Sequence, residues 1–150
     1  MDRPVLSDGD HVRNLLGRYC ERLDAGDFAG VGALFADGRL TTDDGTVLAT
    51  GADEVTAFYR RGTRLHDGSP HTKHLVADTV MEVASDGSTL VARSSYVVLQ
   101  AVDGELALQP IIAGRYVDSF QRVDGGWTWT ERSFAVDLLG DLARHLTYQF

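Results

Sequence analysis

The sequence has 150 residues, 43% of them hydrophobic and 24% charged, which suits one globular domain and is too short for a two-domain enzyme. Twenty-two acidic against 14 basic side chains give a net charge of −8, which argues against general binding to nucleic acid or to an anionic membrane. The single cysteine, Cys20, excludes an internal disulfide. No apolar stretch reaches the roughly 18 residues of a membrane span, and residues 1–4 lack a signal-peptide pattern. We therefore expect a single cytoplasmic domain over residues 1–150.

The N-terminal pattern predicts an amphipathic helix. Ser7 and Asp10 have the spacing of a capping box, and apolar residues then recur at helical intervals from Val12 to Leu23. Gly26 is placed to end this helix. The chain therefore opens with a helix of about four turns.

Two further helices are expected before the middle of the chain. Asp27 is placed to cap a short helix with apolar residues on one side. Thr50 and Asp53 repeat the capping spacing ahead of a third helix, which should end near Gly62.

Beyond Pro70 the composition changes to long segments rich in β-branched and aromatic residues. Asp-Gly turns divide these segments into strands that should form an antiparallel meander. Pro110 and Gly114 lie in the longest segment and predict a bulge or a sharp bend there. The predicted strands are Thr72–Val83, Thr89–Val102, Leu106–Val123 and Trp127–Val136, and a short hairpin of residues 40–42 and 47–49 precedes them.

This order of elements predicts an α+β domain in which three N-terminal helices pack on a strongly curved antiparallel sheet. Such a sheet wraps into a cone, and the interior of the cone forms an apolar pocket with one open mouth. A pocket of this kind is the first place to look for a ligand, and the ligand expected here is a small apolar molecule.

Asp24 is the first residue that could take part in chemistry. It follows Cys20 by four residues and Leu16 by eight, so a helix places its carboxylate on the apolar stripe, where an unpaired charge is costly. The alternative is that Asp24 lies at the helix end and reaches water or a backbone amide. The pattern favours neither alternative.

His74 is the second such residue. On a strand it shares a face with Val76 and Val80, while Leu75 lies on the other face, so periodicity does not decide which face is inward. An imidazole titrates near neutral pH and can act as a general base, and a carboxylate partner would fix its tautomer. A lone histidine on a strand is also common as an ordinary core or surface residue.

The sequence lacks the motifs typical of metal sites, of phosphate-containing cofactors and of nucleophilic catalysis. The spacing of His66, His71 and His74 suits neither a helix nor one strand face, so no metal site is predicted. The sequence contains neither a Gly-rich phosphate loop nor a nucleophile elbow, and we expect no cofactor. Cys20 lies within the helical stripe and is expected to be an inert buried thiol.

Aromatic residues fall on the predicted pocket walls, where tyrosine hydroxyls could donate a hydrogen bond to a carbonyl or enolate oxygen. Asp118 and Arg132 lie on long strands and need solvent or a partner, but the pattern does not orient them. We assign substrate binding to Tyr19, Phe58, Tyr59, Tyr96, Arg115 and Tyr116, with Phe120 on the same walls.

These residues form an ordered set that resembles one family. The set runs from Tyr19-Cys-Glu-Arg-Leu-Asp24 through Leu34-Phe35-Ala-Asp37-Gly, Thr72-Lys-His74-Leu and Gly114-Arg115-Tyr116 to Asp124-Gly-Gly-Trp127. It is similar to the SnoaL-like branch of the nuclear transport factor 2-like superfamily over nearly the whole chain. The resemblance implies a cystatin-like cone of three helices and a bent sheet, commonly paired into a homodimer through the outer face of the sheet.

Two relatives in that superfamily, scytalone dehydratase and hexachlorocyclohexane dehydrochlorinase, use a histidine–aspartate pair in which the histidine is the base. Their aspartate comes from the end of the first helix and their histidine from the first long strand, and these positions match Asp24 and His74. The resemblance therefore implies that Asp24 and His74 are catalytic. Other relatives are polyketide cyclases or noncatalytic subunits, so the fold alone does not determine the function.

The leading hypothesis is a cofactor-free lyase or isomerase of the dehydratase type that acts on a small apolar cyclic or polyketide-like compound. His74 would remove a proton from carbon, Asp24 would hold the imidazole, and a tyrosine would bind the developing oxyanion. The alternatives are a noncatalytic ligand-binding or assembly module and a polyketide cyclase that uses the same residues. The segment from Asp137 to Leu146 could cover the mouth of the cone, pack against a dimer mate or cap the last strand.

Overall fold

A computed structural model describes residues 4–149, which form three helices and one six-stranded sheet. Within these residues no helix is both long and apolar enough to cross a membrane. The helices are α1 (Asp8–Asp24), α2 (Phe28–Leu34) and α3 (Gly51–Gly62). The strands are β1 (Arg39–Thr42), β2 (Val47–Thr50), β3 (Thr72–Val83), β4 (Thr89–Val102), β5 (Leu106–Val123) and β6 (Gly126–Leu139).

Side-chain caps fix where the first two helices begin. The Ser7 hydroxyl accepts the backbone N–H of Asp10, and the Asp10 carboxylate accepts the backbone N–H of Ser7, so the predicted capping box is confirmed. Asp27 accepts the backbone N–H of Gly30 at 2.9 Å and caps α2 as predicted. These caps fix the first residues of α1 and α2. The last residue of α1 is Asp24.

The start of α3 corrects the prediction. The side chain of Thr50 makes no capping hydrogen bond, and it is Glu54, not Asp53, whose carboxylate accepts the backbone N–H of Thr50 at 2.8 Å. The longer glutamate side chain reaches back over one helical turn, which the shorter aspartate does not do here. The helix nevertheless ends at Gly62, as predicted.

The strands lie in the order β2-β1-β6-β5-β4-β3. The pairs from β3 to β6 are antiparallel, which confirms the predicted meander, and β3, β4 and β5 have the predicted bounds. The sheet as a whole is mixed, because β1 pairs with β6 in parallel, from Arg39 opposite Glu131 to Thr42 opposite Phe134. This short strand supplies hydrogen-bond partners to an edge of β6 that would otherwise be open.

The longest strand, β5, is irregular where the sequence predicts a bulge or a bend. Its register shifts beside Pro110 against β4, and it shifts again between Ala113 and Gly114 against β6. A Cβ atom at Gly114 would lie 2.0 Å from the carbonyl oxygen of Ala135, so this close approach of two strands requires glycine. Irregularities of this kind bend a strand and increase its local twist.

The main core lies between the helices and one face of the sheet, and it contains a buried ion pair. Arg132 and Asp118 have no exposed side-chain surface, and Arg132 donates hydrogen bonds of 2.7 and 2.9 Å to the Asp118 carboxylate. The indole N–H of Trp129 donates to the same carboxylate at 3.0 Å. The guanidinium lies 4.2 Å from the ring centroid of Tyr19 and 3.8 Å from that of Tyr116.

Arg132 keeps its charge in the core because Asp118 offsets the cost of its burial. Burial acts to lower the pKa of Arg132, but the charge of Asp118 and its hydrogen bonds raise that pKa well above its ordinary value. The two residues whose orientation the sequence pattern left open are therefore each other's partners in the core.

Removing one member of this pair should destabilise the fold strongly. In Arg132→Met the Asp118 carboxylate stays buried without its partner, and we expect the free energy of unfolding in urea to fall by about 3–5 kcal/mol. The control is Arg115→Met, which removes an exposed partner of Asp137 and should change stability little. Equal losses in the two variants would contradict the importance of the buried pair.

Candidate functional site

Asp24 is the last residue of α1, and its carboxylate is hydrogen-bonded to the start of β3. It accepts the backbone N–H of His74 at 2.9 Å, the Thr72 hydroxyl at 2.9 Å and Nδ1 of His74 at 2.5 Å. The Asp24 side chain is 14% exposed and that of His74 is 5% exposed. The inward and paired alternative for Asp24 is therefore the one found, and His74 faces inward at the start of β3. Beyond a bulge between Ala77 and Val80 the alternation reverses, so that Met81 packs on the core and Val80 is exposed.

The pair has a defined proton arrangement. Burial opposes ionisation of Asp24, but the hydrogen bonds from His74 and Thr72 and the charge of His74 lower the pKa of Asp24 below its ordinary value of 3.8. An ionised carboxylate has no proton to donate, so Nδ1 of His74 carries the proton in their hydrogen bond. In the neutral imidazole, Nε2 is then left unprotonated and is available as a base.

A cavity of about 600 Å³ lies beside His74, a volume typical of small-molecule sites. All the aromatic residues assigned to substrate binding line it, namely Tyr19, Phe58, Tyr59, Tyr96 and Tyr116. The other lining residues are Leu23, Thr42, Asp43, Leu48, Val98, Ile112, Phe134, Val136, Leu142, His145, Leu146 and Tyr148. Most of this wall is apolar, so the few polar groups determine how a ligand is oriented.

Four tyrosines supply most of the hydroxyls in the cavity. The hydroxyls of Tyr19 and Tyr59 lie 2.6 Å apart, so one donates to the other and the pair keeps one O–H proton for a ligand. The rings of Tyr96 and Tyr116 stack with centroids 4.2 Å apart. Burial raises the pKa of all four, to about 12 for Tyr96, so the hydroxyls stay protonated. The Tyr96 hydroxyl already donates to the Ala135 carbonyl, at 3.4 Å.

Arg115 corrects the sequence-based assignment. Its side chain is exposed, outside the cavity, and bonds the Asp137 carboxylate through two nitrogens, each at 2.9 Å from an oxygen. Neighbouring residues on a strand point to opposite faces, so with Tyr116 in the cavity wall Arg115 faces outward. Phe120 is also absent from the wall, because it packs against Trp129 in the core.

The C-terminal segment, residues 140–149, forms one side of the cavity. The backbone N–H of Arg64 donates to the carbonyl of His145 at 2.8 Å, and that of Thr147 donates to the carbonyl of Gly62 at 3.0 Å. These bonds attach the segment to the end of α3 and just beyond it. Of the roles considered for the tail, the structure therefore supports that of covering the cavity.

His145 is a cavity residue that the sequence analysis did not assign. It is 9% exposed, and its ring centroid lies 6.4 Å from that of His74. Burial, and then the charge of His74, lower the pKa of His145 to about 4, so the imidazole is neutral at neutral pH. A histidine among the leucines at positions 142 and 146 was the available signal, but the sequence did not indicate where this segment packs.

The structure also places the histidines and the cysteine that the sequence analysis considered for other chemistry. Among residues 4–149, no three histidine, cysteine, aspartate or glutamate side chains are grouped so that they could hold a metal ion. His66 lies beside the carbonyl of Arg144, at 2.7 Å from Nε2, and so contacts the C-terminal segment. Cys20 is half-buried, and burial raises the pKa of its thiol to about 11.

The family model for the SnoaL-like domain matches residues 4–133, which is most of the chain. The chain belongs to the SnoaL-like family. A comparison with curated proteins gives no significant match. The family match and the fold confirm the resemblance inferred from the ordered residues.

Solved structures similar to this SnoaL-like chain share its fold. An NTF2-like protein with a cystatin-like fold from Novosphingobium aromaticivorans is 24% identical, with 86% of this chain and 81% of that chain covered and a TM-score of 0.67. ActVI-ORFA from Streptomyces coelicolor is 24% identical, with 85% and 95% covered and a TM-score of 0.67. A protein provisionally named a scytalone dehydratase, from Novosphingobium aromaticivorans DSM 12444, is 20% identical, with 85% and 83% covered and a TM-score of 0.66.

The lowered pKa of His145 predicts a pH-dependent loss of stability. Below pH 6.5 the unfolded chain protonates this residue while the folded chain does not, so its contribution to stability falls as the pH drops from 6.5 to about 4. His145→Phe lacks this titration. As the pH drops through that window, its free energy of unfolding in urea should therefore rise relative to that of the wild type. His74, Asp24 and His66, which act on His145 electrostatically, are present in both proteins.

The exposed His71 provides the control, because His71→Asn removes a histidine outside the cavity. Its pH profile should follow that of the wild type. Parallel profiles for His145→Phe and wild type would contradict a buried neutral imidazole at position 145.

Proposed function

We propose that this protein is a cofactor-free lyase or isomerase of the dehydratase type that acts on a small, largely apolar cyclic ketone or hydroxyketone. The Asp24–His74 pair in the wall of an aromatic cavity is the observation that carries the proposal. The family match and the likeness to a protein provisionally named a scytalone dehydratase are consistent with it.

A structural role alone does not explain the pair. A carboxylate at the C-terminal end of a helix interacts unfavourably with the helix dipole, and Asp24 also loses solvent on burial. Its hydrogen bonds from His74 and Thr72 offset these costs and orient an imidazole whose other nitrogen is free to act on a ligand. Orientation of a base by a buried carboxylate is a recurrent arrangement in general-base catalysis.

The proposed reaction begins with proton transfer from carbon. Nε2 of His74 takes the proton from the carbon beside the substrate carbonyl, and the electron pair of the C–H bond forms the enolate. Asp24 stabilises the resulting imidazolium, and a cavity tyrosine donates a hydrogen bond to the enolate oxygen. The imidazolium then returns the proton to another carbon in an isomerisation, or to a departing hydroxyl that leaves as water in a dehydration.

Polyketide ring closure is the second candidate. In that reaction the same enolate attacks a second carbonyl carbon, and the imidazolium protonates the new alkoxide. The match to the SnoaL-like family favours this candidate, and a volume of about 600 Å³ leaves room for a folded chain. A noncatalytic module would use the cavity alone and would have no need of a paired imidazole. The homodimer, the cytoplasmic location and the absence of nucleic-acid and membrane partners stay predictions.

Proton exchange into a simple ketone tests the base directly. In D₂O the wild-type protein should exchange the protons next to the carbonyl of 1-tetralone or 4-chromanone, as followed by proton NMR. His74→Ala should slow this exchange by about 10²–10⁴-fold. Asp24→Asn should slow it by roughly tenfold or more, because an amide can donate to Nδ1 and so reverse the tautomer.

His71→Asn is the matched control and should exchange at the wild-type rate. A folded His74→Ala variant, as judged by circular dichroism, that exchanges as fast as wild type would refute the base role. A wild-type protein that binds both ketones but exchanges neither would favour the noncatalytic module.

A further inference from the structure

His145 is a buried polar side chain that the fold does not use. Its Nδ1 is buried and has no hydrogen-bond partner within residues 4–149. The backbone of this residue does the anchoring, since its N–H donates to Leu142 and its carbonyl accepts from Arg64. An apolar ring of the same shape would pack without an unpaired nitrogen, so stability does not account for the imidazole.

The position of the ring relates it to the reaction. His145 and His74 both line the cavity, with ring centroids 6.4 Å apart and planes inclined at 63°. Two imidazoles at this separation can contact neighbouring atoms of one small ligand. A ligand that places its reacting carbon against Nε2 of His74 can place the adjoining carbonyl oxygen against His145.

We propose that His145 binds the substrate as a neutral hydrogen-bond donor to the oxygen that becomes negatively charged when His74 removes the proton. This inference rests on the proposed function and adds an oxyanion-binding residue to it. A tyrosine and His145 then donate to the same oxygen, and no proton leaves His145 during the reaction. Preorganised donors of this kind strengthen their bonds as charge develops on the oxygen.

The electrostatics of the site suit a neutral donor. The groups that act on His145 are His74, Asp24 and His66. The charge of Asp24, which is bonded to His74, acts to raise the pKa of His145, but burial and the charge of His74 outweigh it. Burial and the charge of His74 keep the pKa of His145 at about 4, and a neutral imidazole can polarise a carbonyl by donating N–H.

The attachment of the segment holds this donor in place. Besides the backbone bonds at His145, the Arg144 carbonyl contacts His66 at 2.7 Å and accepts the side-chain N–H of Gln100 at 3.0 Å. Such support keeps the imidazole oriented before a ligand arrives, which is what an oxyanion-binding group requires.

A pair of ligands that differ by one hydroxyl tests the contact without requiring turnover. 1-Naphthol has the hydroxyl of an aromatic enol, whereas naphthalene has the same rings without oxygen. Wild type should bind 1-naphthol more tightly than naphthalene in fluorescence titrations. His145→Phe should lose roughly tenfold of this preference while its affinity for naphthalene is kept.

Amide variants separate the hydrogen bond from the packing of the ring. His145→Gln places an N–H near the position of Nε2, and His145→Asn places one near that of Nδ1. At least one of them should restore part of the preference for 1-naphthol, and His71→Asn should keep all of it. Circular dichroism and thermal unfolding check that each variant is folded.

Exchange of 1-tetralone supplies the kinetic readout. His145→Phe should lower kcat for exchange about tenfold. If His74→Ala abolishes exchange while His145→Phe keeps both the wild-type rate and the naphthol preference, the inference is wrong and the proposed function stands. If His74→Ala exchanges normally, the proposed function fails, and with it the role assigned to His145 in the reaction. A wild type that does not prefer 1-naphthol would overturn the inference by itself.

Discussion

The carboxylate of Asp24 joins the end of α1 to the beginning of β3, and the arrangement of the site depends on this junction. One oxygen accepts a hydrogen bond from the backbone N–H of His74 and the other accepts one from its Nδ1. The same carboxylate therefore fixes the position of the strand and the orientation of the ring. The Thr72 hydroxyl completes the set. Because α1 also contributes Tyr19, the base and one of the tyrosine donors are held in a fixed relation by a single helix.

A buried ion pair in the core supports the tyrosines from below the cavity wall. Arg132, which is not itself in the wall, lies between the rings of Tyr19 and Tyr116 and is neutralised by Asp118. Stacking on a guanidinium restricts the tilt of both rings while their hydroxyl ends stay in an apolar site. The protein thus keeps charge in two places, one that positions a proton acceptor and one that positions neutral donors.

Much of the fold follows from local sequence signals. Strands β3, β4 and β5 could be bounded correctly because Asp-Gly pairs mark the turns, and Gly87 and Gly104 adopt the positive φ that such turns need. Helical periodicity put Asp24 on the apolar stripe of α1 but did not decide between a buried partner and the solvent at the helix end. The parallel pairing of β1 with β6 joins residues about ninety positions apart, and no local pattern encodes it.

Several features of the site do not follow from local sequence patterns. Arg115 and Tyr116 are neighbours on one strand, so both could not face the cavity, and strand alternation alone would have excluded one of them. Periodicity left the inner face of β3 undecided, because strict alternation puts Asp78 and Glu82 on the face of His74. A bulge between Ala77 and Val80 interrupts that alternation. His145 reaches the cavity through the packing of residues 140–149 against the end of α3, which is a tertiary contact.

The central claim is that Asp24 holds His74 as a base with its free nitrogen toward the cavity. Nitrogen-15 NMR of the histidine rings, titrated until His74 is neutral, measures this directly. We predict that neutral His74 carries its proton on Nδ1 in the wild type and that Asp24→Asn disturbs this preference. A neutral His74 protonated on Nε2 in the wild-type protein would contradict it.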